Sequence, residues 1–169
     1  MVLCRMNLTI SEEFLLAIAQ IAIALIGFSG VVAALDRRGE RDWTSAELLQ
    51  LRTLVEPSIV AFAAAFIPFG LSLLDLENDA LWRVSNGIIL SLHAIFNGLF
   101  FLRRVRGGGH VGQNLIQIVA FMVYALLLAS VLNITSYHQL AFLIGLLLGI
   151  SVSVVNFYLL LFSPKESAA

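Results

Sequence analysis

Long apolar runs make up most of this chain, and a few residues inside them are there at a cost. Glu56 and His93 can ionise; Ser29, Asn97, Gln117 and Asn156 are neutral but polar. A charge in hydrocarbon is costly unless it is paired, hydrated or neutralised, so such groups face a bundle interior or a wet cavity. A carboxylate among amides is chemistry that attracts a cation and replaces part of its water shell. Arg52 supplies the plainer alternative. It precedes Glu56 by about one helical turn, which is ion-pair distance on one helix face. His93 reads first as a hydrogen-bonded histidine within a bundle. A proton relay to Glu56 would need a contact that spacing does not establish. For Asn97, Gln117 and Asn156, interhelical hydrogen bonds worth about 1 kcal/mol or less each are the simpler role.

Other chemistries find little support. His93, His110 and His138 fall at different depths, and no His-x3-His or Cys-His grouping exists, so neither a metal nor another cofactor is expected. The single cysteine, Cys4, excludes an internal disulfide. No serine sits in a nucleophile elbow, and Glu56 is the one carboxylate within an apolar run, so the chain does not read as an enzyme. "RGGGH" (Arg106–His110) reads as a turn and not as a phosphate loop. The arginine clusters record topology and can meet anionic lipid headgroups; nucleic acid is not an expected partner.

These residues are positioned by unusually hydrophobic elements. Of 169 residues, 60% are hydrophobic and 12% charged, against about one-quarter charged in soluble domains. A lipid bilayer is the solvent this composition suits. The apolar cores are Phe14–Leu35, Pro57–Leu74, Leu81–Leu102, Leu115–Leu132 and Leu140–Phe162, each near the roughly 20 residues a bilayer requires. Lipid cannot satisfy a bare backbone, so each must be helical. The expected fold is an all-α integral membrane protein in one domain, 1–169, with five transmembrane helices and short loops. The spans are expected at about 14–35, 54–74, 81–102, 113–133 and 138–162. Thr9 with Glu12, Thr44 with Glu47, and Ser136 with Gln139 have capping-box spacing, and Asn78 or Asp79 can cap the third span. "MVLCRMNLTISEE" places acids before the first apolar run, unlike a signal peptide.

Basic residues set the orientation. Arg37, Arg38, Arg41, Arg103, Arg104, Arg106 and Lys165 fall on one side, and Arg5 and Arg83 on the other with Glu12, Glu13, Asp75, Glu77 and Asp79. The N-terminus is therefore expected outside and the C-terminus in the cytoplasm, in a bacterial inner membrane. Counted at about 1.5 Å per residue, Glu56, Gln117, Asn97, Ser29 and Asn156 share an inner-leaflet layer, with His93 nearer the midplane. Asn86, His93 and Asn97 lie on one helix face; Gln20 and Asn86 are the main polar groups of the outer half.

Small residues mark packing faces. The first helix carries Gln20, Ala24, Gly27, Val31 and Ala34 on one stripe and Ala19, Ala22, Ser29, Gly30 and Ala33 on another. The second carries Ser58, Ala61, Ala65 and Ser72, and the fifth Gly145, Gly149 and Ser153 with Asn156. These faces serve helix packing within one chain or contacts in a homo-oligomer. Pro57 leaves two readings: a helix that ends at Glu56 with a new one beginning at Pro57, or one helix from Ser45 to Leu74, extended into the cytoplasm and kinked at Pro57. The second is preferred, because no other breaker follows Thr44. The functional expectation is a homo-oligomeric channel or permease subunit for inorganic ions, leaning to cations, with a polar inner vestibule. A non-transporting scaffold, sensor or subunit of a larger complex is the alternative.

Overall fold

A computed structural model of the chain describes residues 12–36, 45–107 and 113–162. All regular structure among them is helical: α1 Glu12–Asp36, α2 Ser45–Ala65, α3 Ile67–Ser72, α4 Asn78–Gly107, α5 Gln113–Val131 and α6 His138–Phe162. Thr9, Thr44, Arg37–Arg41, His110 and Lys165 lie outside the described residues. Three stretches are long and apolar enough to cross a membrane: Glu12–Ala34, Leu51–Ser72 and His138–Leu159. Ile116–Val131 in α5 is a shorter apolar helix. The long α4 carries Asn86, His93 and Asn97 between charged ends, which dilutes its apolar character.

Helix α2 runs through Pro57 without interruption. Proline has no N–H, so the Thr53 carbonyl loses its usual partner one turn on. The break comes later, at Phe66. Its N–H bonds Ala63 O at 3.2 Å, a three-residue step, and Pro68 occupies the opening turn of α3. Proline is tolerated there because first-turn N–H groups have no helical partner anyway. The preferred reading of one helix from Ser45 to Leu74 therefore meets an interruption at Phe66, and α3 ends at Ser72.

Helices α2, α4, α5 and α6 form the central group. α4 and α6 meet across its middle, while α2 and α5 stand at opposite corners, each packed on both. Among the described residues, α2 and α5 do not touch. α1 lies outside the group, against α2 and to a smaller extent α6. It turns Leu15, Ile18, Ala19, Ala22 and Ser29 inward and leaves Gln20, Ala24, Gly27 and Val31 exposed. Ser58, Ala61 and Ala65 of α2 are all buried, as a single stripe should be, while Ser72 beyond the break is exposed.

Large side chains fill the centre and also coat the outside. Ile89, Leu127, Phe142 and Leu146 have no exposed surface, while Ile21, Ile23, Phe28, Phe121 and Met122 point away from the protein. Close approach in the interior depends on small residues. A Cβ on Gly149 would sit 3.3 Å from Pro57 O and 3.4 Å from Ala61 Cβ. That contact is why α6 can lie so tightly on α2.

The end of α5 is closed by backbone geometry and one arginine. Asn133 takes a left-handed φ of 60°. This lets Ile134 N–H reach Ala129 O at 2.8 Å and Asn133 N–H reach Ser130 O at 3.1 Å, a Schellman ending. Val131 O then accepts Arg83 Nε and Nη2 at 3.3 and 3.1 Å. A cation at a helix C-terminus also meets the negative end of its dipole.

Candidate functional site

A cavity of about 460 Å³ lies among α2, α4, α5 and α6, toward the end where α2 and α5 begin and α4 and α6 finish. It occupies the gap between the two helices that do not touch. α2 contributes Thr53, Glu56 and Pro57; α4 contributes His93 and Asn97; α5 contributes Gln117 and Tyr124; α6 contributes Gly149 and Asn156. The remaining walls are aliphatic or aromatic, including Val60, Phe96, Ile116, Leu148, Val152 and Val155. Glu56 is half-buried and, among the described residues, is the one acidic side chain lining the space.

The polar groups are organised by hydrogen bonds between α4 and α5. Gln117 Nε2 donates to Asn97 Oδ1 at 3.2 Å, and Asn97 Nδ2 donates to Tyr124 Oη at 3.1 Å. Both ends of the Asn97 amide are thus fixed, which sets the direction of the chain from Gln117 through Asn97 to Tyr124. The His93 and Tyr124 rings lie 5.7 Å apart, tilted. His93 Nε2 is 3.2 Å from Gly145 O. A carbonyl only accepts, so His93 Nε2 carries a proton and donates it to Gly145 O. Asn156 Nδ2 returns to Val152 O at 2.8 Å, and Thr53 Oγ1 to Leu49 O at 2.7 Å. Such back-bonding satisfies a polar group on its own helix.

Five of the residues singled out in the sequence therefore meet around one space: Glu56, His93, Asn97, Gln117 and Asn156. Ser29 and Arg52 do not. Ser29 is buried on the peripheral α1, where its hydroxyl bonds Ile26 O at 2.6 Å. Arg52 is exposed and lines none of the cavity. Gly145 and Gly149 are internal: a Cβ on Gly145 would meet Ile89 and Leu127 at 3.3 Å. Ser153 is buried and bonds Gly149 O at 3.0 Å. Gly27 and Gly30 face open space, with nothing within 4 Å of an added Cβ.

Sequence reasoning passed over Thr53 and Tyr124. Tyr124 sits two turns along α5 from Gln117, at i+7, and that spacing from a polar residue was the available signal.

One turn beyond the cavity, toward the start of α4, the bundle is solid. Ile89, Leu127 and Leu146 follow His93, Tyr124 and Gly149 by about a turn and leave no exposed surface. Past them is a second polar cluster. Asn86 Nδ2 donates to Ser130 Oγ and to His138 O, both at 2.8 Å, and Ser130 Oγ lies 2.8 Å from His138 Nδ1. These three residues tie α4, α5 and α6 together. Trp82, buried near the start of α4, lies edge-on to Phe142 at 5.5 Å, with its Nε1–H on Asn78 Oδ1.

No family model, curated protein or solved structure matches the chain.

Proposed function

We propose that the chain is a five-span membrane protein whose cavity is a cytoplasmic-side vestibule for small cations, acting as a channel or permease subunit in a homo-oligomer. The observation that carries this reading is Glu56 in the cavity wall. A carboxylate set among amides and apolar side chains in a cavity wall favours positive charge nearby. The outward-facing Ile21, Phe28, Phe121 and Met122 support insertion, because so much large apolar surface is unsuited to water. The interior supports it too. Helices in lipid gain little from hiding apolar area and associate through small residues and polar bonds, as Gly145, Gly149, Ser58 and the Asn86 cluster do here. The arginines that follow α1 (Arg37, Arg38 and Arg41) and those in the last turns of α4 (Arg103, Arg104 and Arg106) favour a cytoplasmic cavity end by the positive-inside rule. The exposed Gly27 and Gly30 of α1 suit close approach of a second copy.

A second reading has its own support. The layer of Ile89, Leu127 and Leu146 closes the vestibule at its inner limit, which also suits a ligand-binding subunit that passes nothing. Reconstitution into liposomes separates the two. The channel reading expects potassium or proton flux above empty vesicles, reduced at least tenfold in Glu56→Gln. Flux absent for every ion would remove it. For orientation, Cys4 should react with an impermeant maleimide from outside intact cells; labelling only after lysis would reverse the topology.

A further inference from the structure

The cavity is closed at its inner limit, and a hydrogen-bond donor stands near that end. This inference rests on the ligand-binding reading above and gives the ligand a chemistry; it assigns Glu56 no role. Leu127, part of the closing layer, follows Tyr124 by three residues on α5. The direction of the amide chain decides what Tyr124 offers. Gln117 Nε2 donates to Asn97 Oδ1, and Asn97 Nδ2 donates to Tyr124 Oη. Tyr124 Oη is thus an acceptor within the protein, and a phenol also carries one hydrogen to donate. Among the described residues nothing accepts that hydrogen. Two donors in series polarise the O–H that follows them, which strengthens it as a donor. Burying such a hydrogen without an acceptor costs free energy, and Tyr124 is half-buried at the cavity wall.

The rest of the wall limits the rest of the ligand. Val60, Phe96, Ala120, Leu148 and Val152 line the same space and bring no polar side-chain atom. At about 460 Å³ it has the size of a small-molecule pocket. Such pockets hold an apolar body and fix its orientation through a few placed polar groups. The His93, Phe96 and Tyr124 rings suit a flat conjugated ring, which packs on aromatic neighbours by offset stacking or edge contact. We propose that the vestibule binds a neutral ring carbonyl, of quinone or aryl ketone type. Its oxygen accepts from the Tyr124 hydroxyl, and its ring lies against the apolar walls of α4, α5 and α6. A carbonyl carries no net charge, so it satisfies the donor without the desolvation cost of an ion.

The test uses the full-length protein in nanodiscs with tritiated 9-fluorenone as probe. Fluorene, the same skeleton without the carbonyl, serves as competitor. Saturable binding above empty nanodiscs is expected, and fluorene should displace the probe about fivefold or more less well than unlabelled fluorenone. Tyr124→Phe keeps the ring and removes the donor. It should weaken fluorenone about fivefold or more and erase its preference over fluorene; a merely structural role would weaken both ligands alike. Val155→Trp is the second variant. Val155 lines the cavity and is itself exposed, so the larger ring can enter the space without entering the packed core; it should weaken both ligands. The proposal is overturned by an absence of saturable binding, or by equal displacement with fluorene. A fluorenone preference that survives in Tyr124→Phe, or binding that Val155→Trp leaves unchanged, would also overturn it. Cation flux in liposomes without fluorenone binding would overturn it and leave the channel reading standing. Fluorenone binding without flux would uphold it and remove the channel.

Discussion

Four glycines provide a graded test of how the helices are held together. Replacing Gly149 with alanine places a methyl 3.3 Å from the Pro57 carbonyl oxygen and 3.4 Å from Ala61 Cβ. The first neighbour is backbone and the second is the shortest of side chains, so neither can rotate away. α2 and α6 must part by a few tenths of an ångström along their shared seam. Forced repacking of this kind costs about 1–3 kcal/mol, set against about 1 kcal/mol gained from alanine's better helix propensity. Gly149→Ala should therefore lose up to about 2 kcal/mol against the parent protein, and stand about 1–3 kcal/mol below Gly27→Ala, which gains the propensity without the clash. Gly145→Ala meets Ile89 Cδ1 and Leu127 Cδ2, also at 3.3 Å, but both are ends of flexible side chains, so its loss should be smaller. Gly27→Ala and Gly30→Ala meet nothing and should be neutral or slightly stabilising within a single chain. The assay is unfolding of the purified protein from mild detergent into a denaturing one, followed by tryptophan fluorescence. Gly149→Ala as stable as Gly27→Ala would refute the close α2–α6 approach. If Gly27→Ala instead destabilises an oligomer on a native gel, that face contacts another copy.

Other perturbations reach different parts of the bundle. Asn86→Leu removes the donor to Ser130 and His138 from a fully buried position and should cost about 1–3 kcal/mol by the same assay; an unchanged midpoint would show that the cluster contributes nothing. Phe142→Ala empties the space beside Trp82 and should cost about 3–5 kcal/mol, with a shift in tryptophan emission. Arg83→Ala uncovers Val131 O at the end of α5 and should cost about 1.5–3 kcal/mol. Faster amide exchange confined to the last turn of α5 is the local signature of that loss.

The polar layer shows how far one dimension carries. Glu56, His93, Asn97, Gln117 and Asn156 could be set at neighbouring depths because helical rise is constant, and all five line one cavity. Depth says nothing of azimuth. Ser29 has a matching depth, but its helix lies outside the central group, so its hydroxyl bonds its own backbone. Arg52 is a turn from Glu56 in sequence, yet it is exposed while Glu56 lines the cavity. The prolines divide in the same way. A pyrrolidine ring removes one N–H wherever it stands, but the helix continues through Pro57 and is interrupted ahead of Pro68.

Composition and hydrophobic run length by themselves pointed to helices, because an apolar run placed in a bilayer would have to bond its own backbone locally, and the described residues have no other regular structure. They also gave the succession of long helices and the position of each polar residue along its helix, though not the break at Phe66 that sets α3 apart. Only the tertiary structure decided that α2 and α5 stand apart, that the space between them is walled by Tyr124 and Phe96 as well as Glu56, and that Asn86 joins Ser130 and His138. The last contacts span 44 and 52 residues. Helix formation is a local energy and can be read along the chain. Which faces meet is a collective choice among whole helices, and close approaches such as Gly149 on Pro57 settle it.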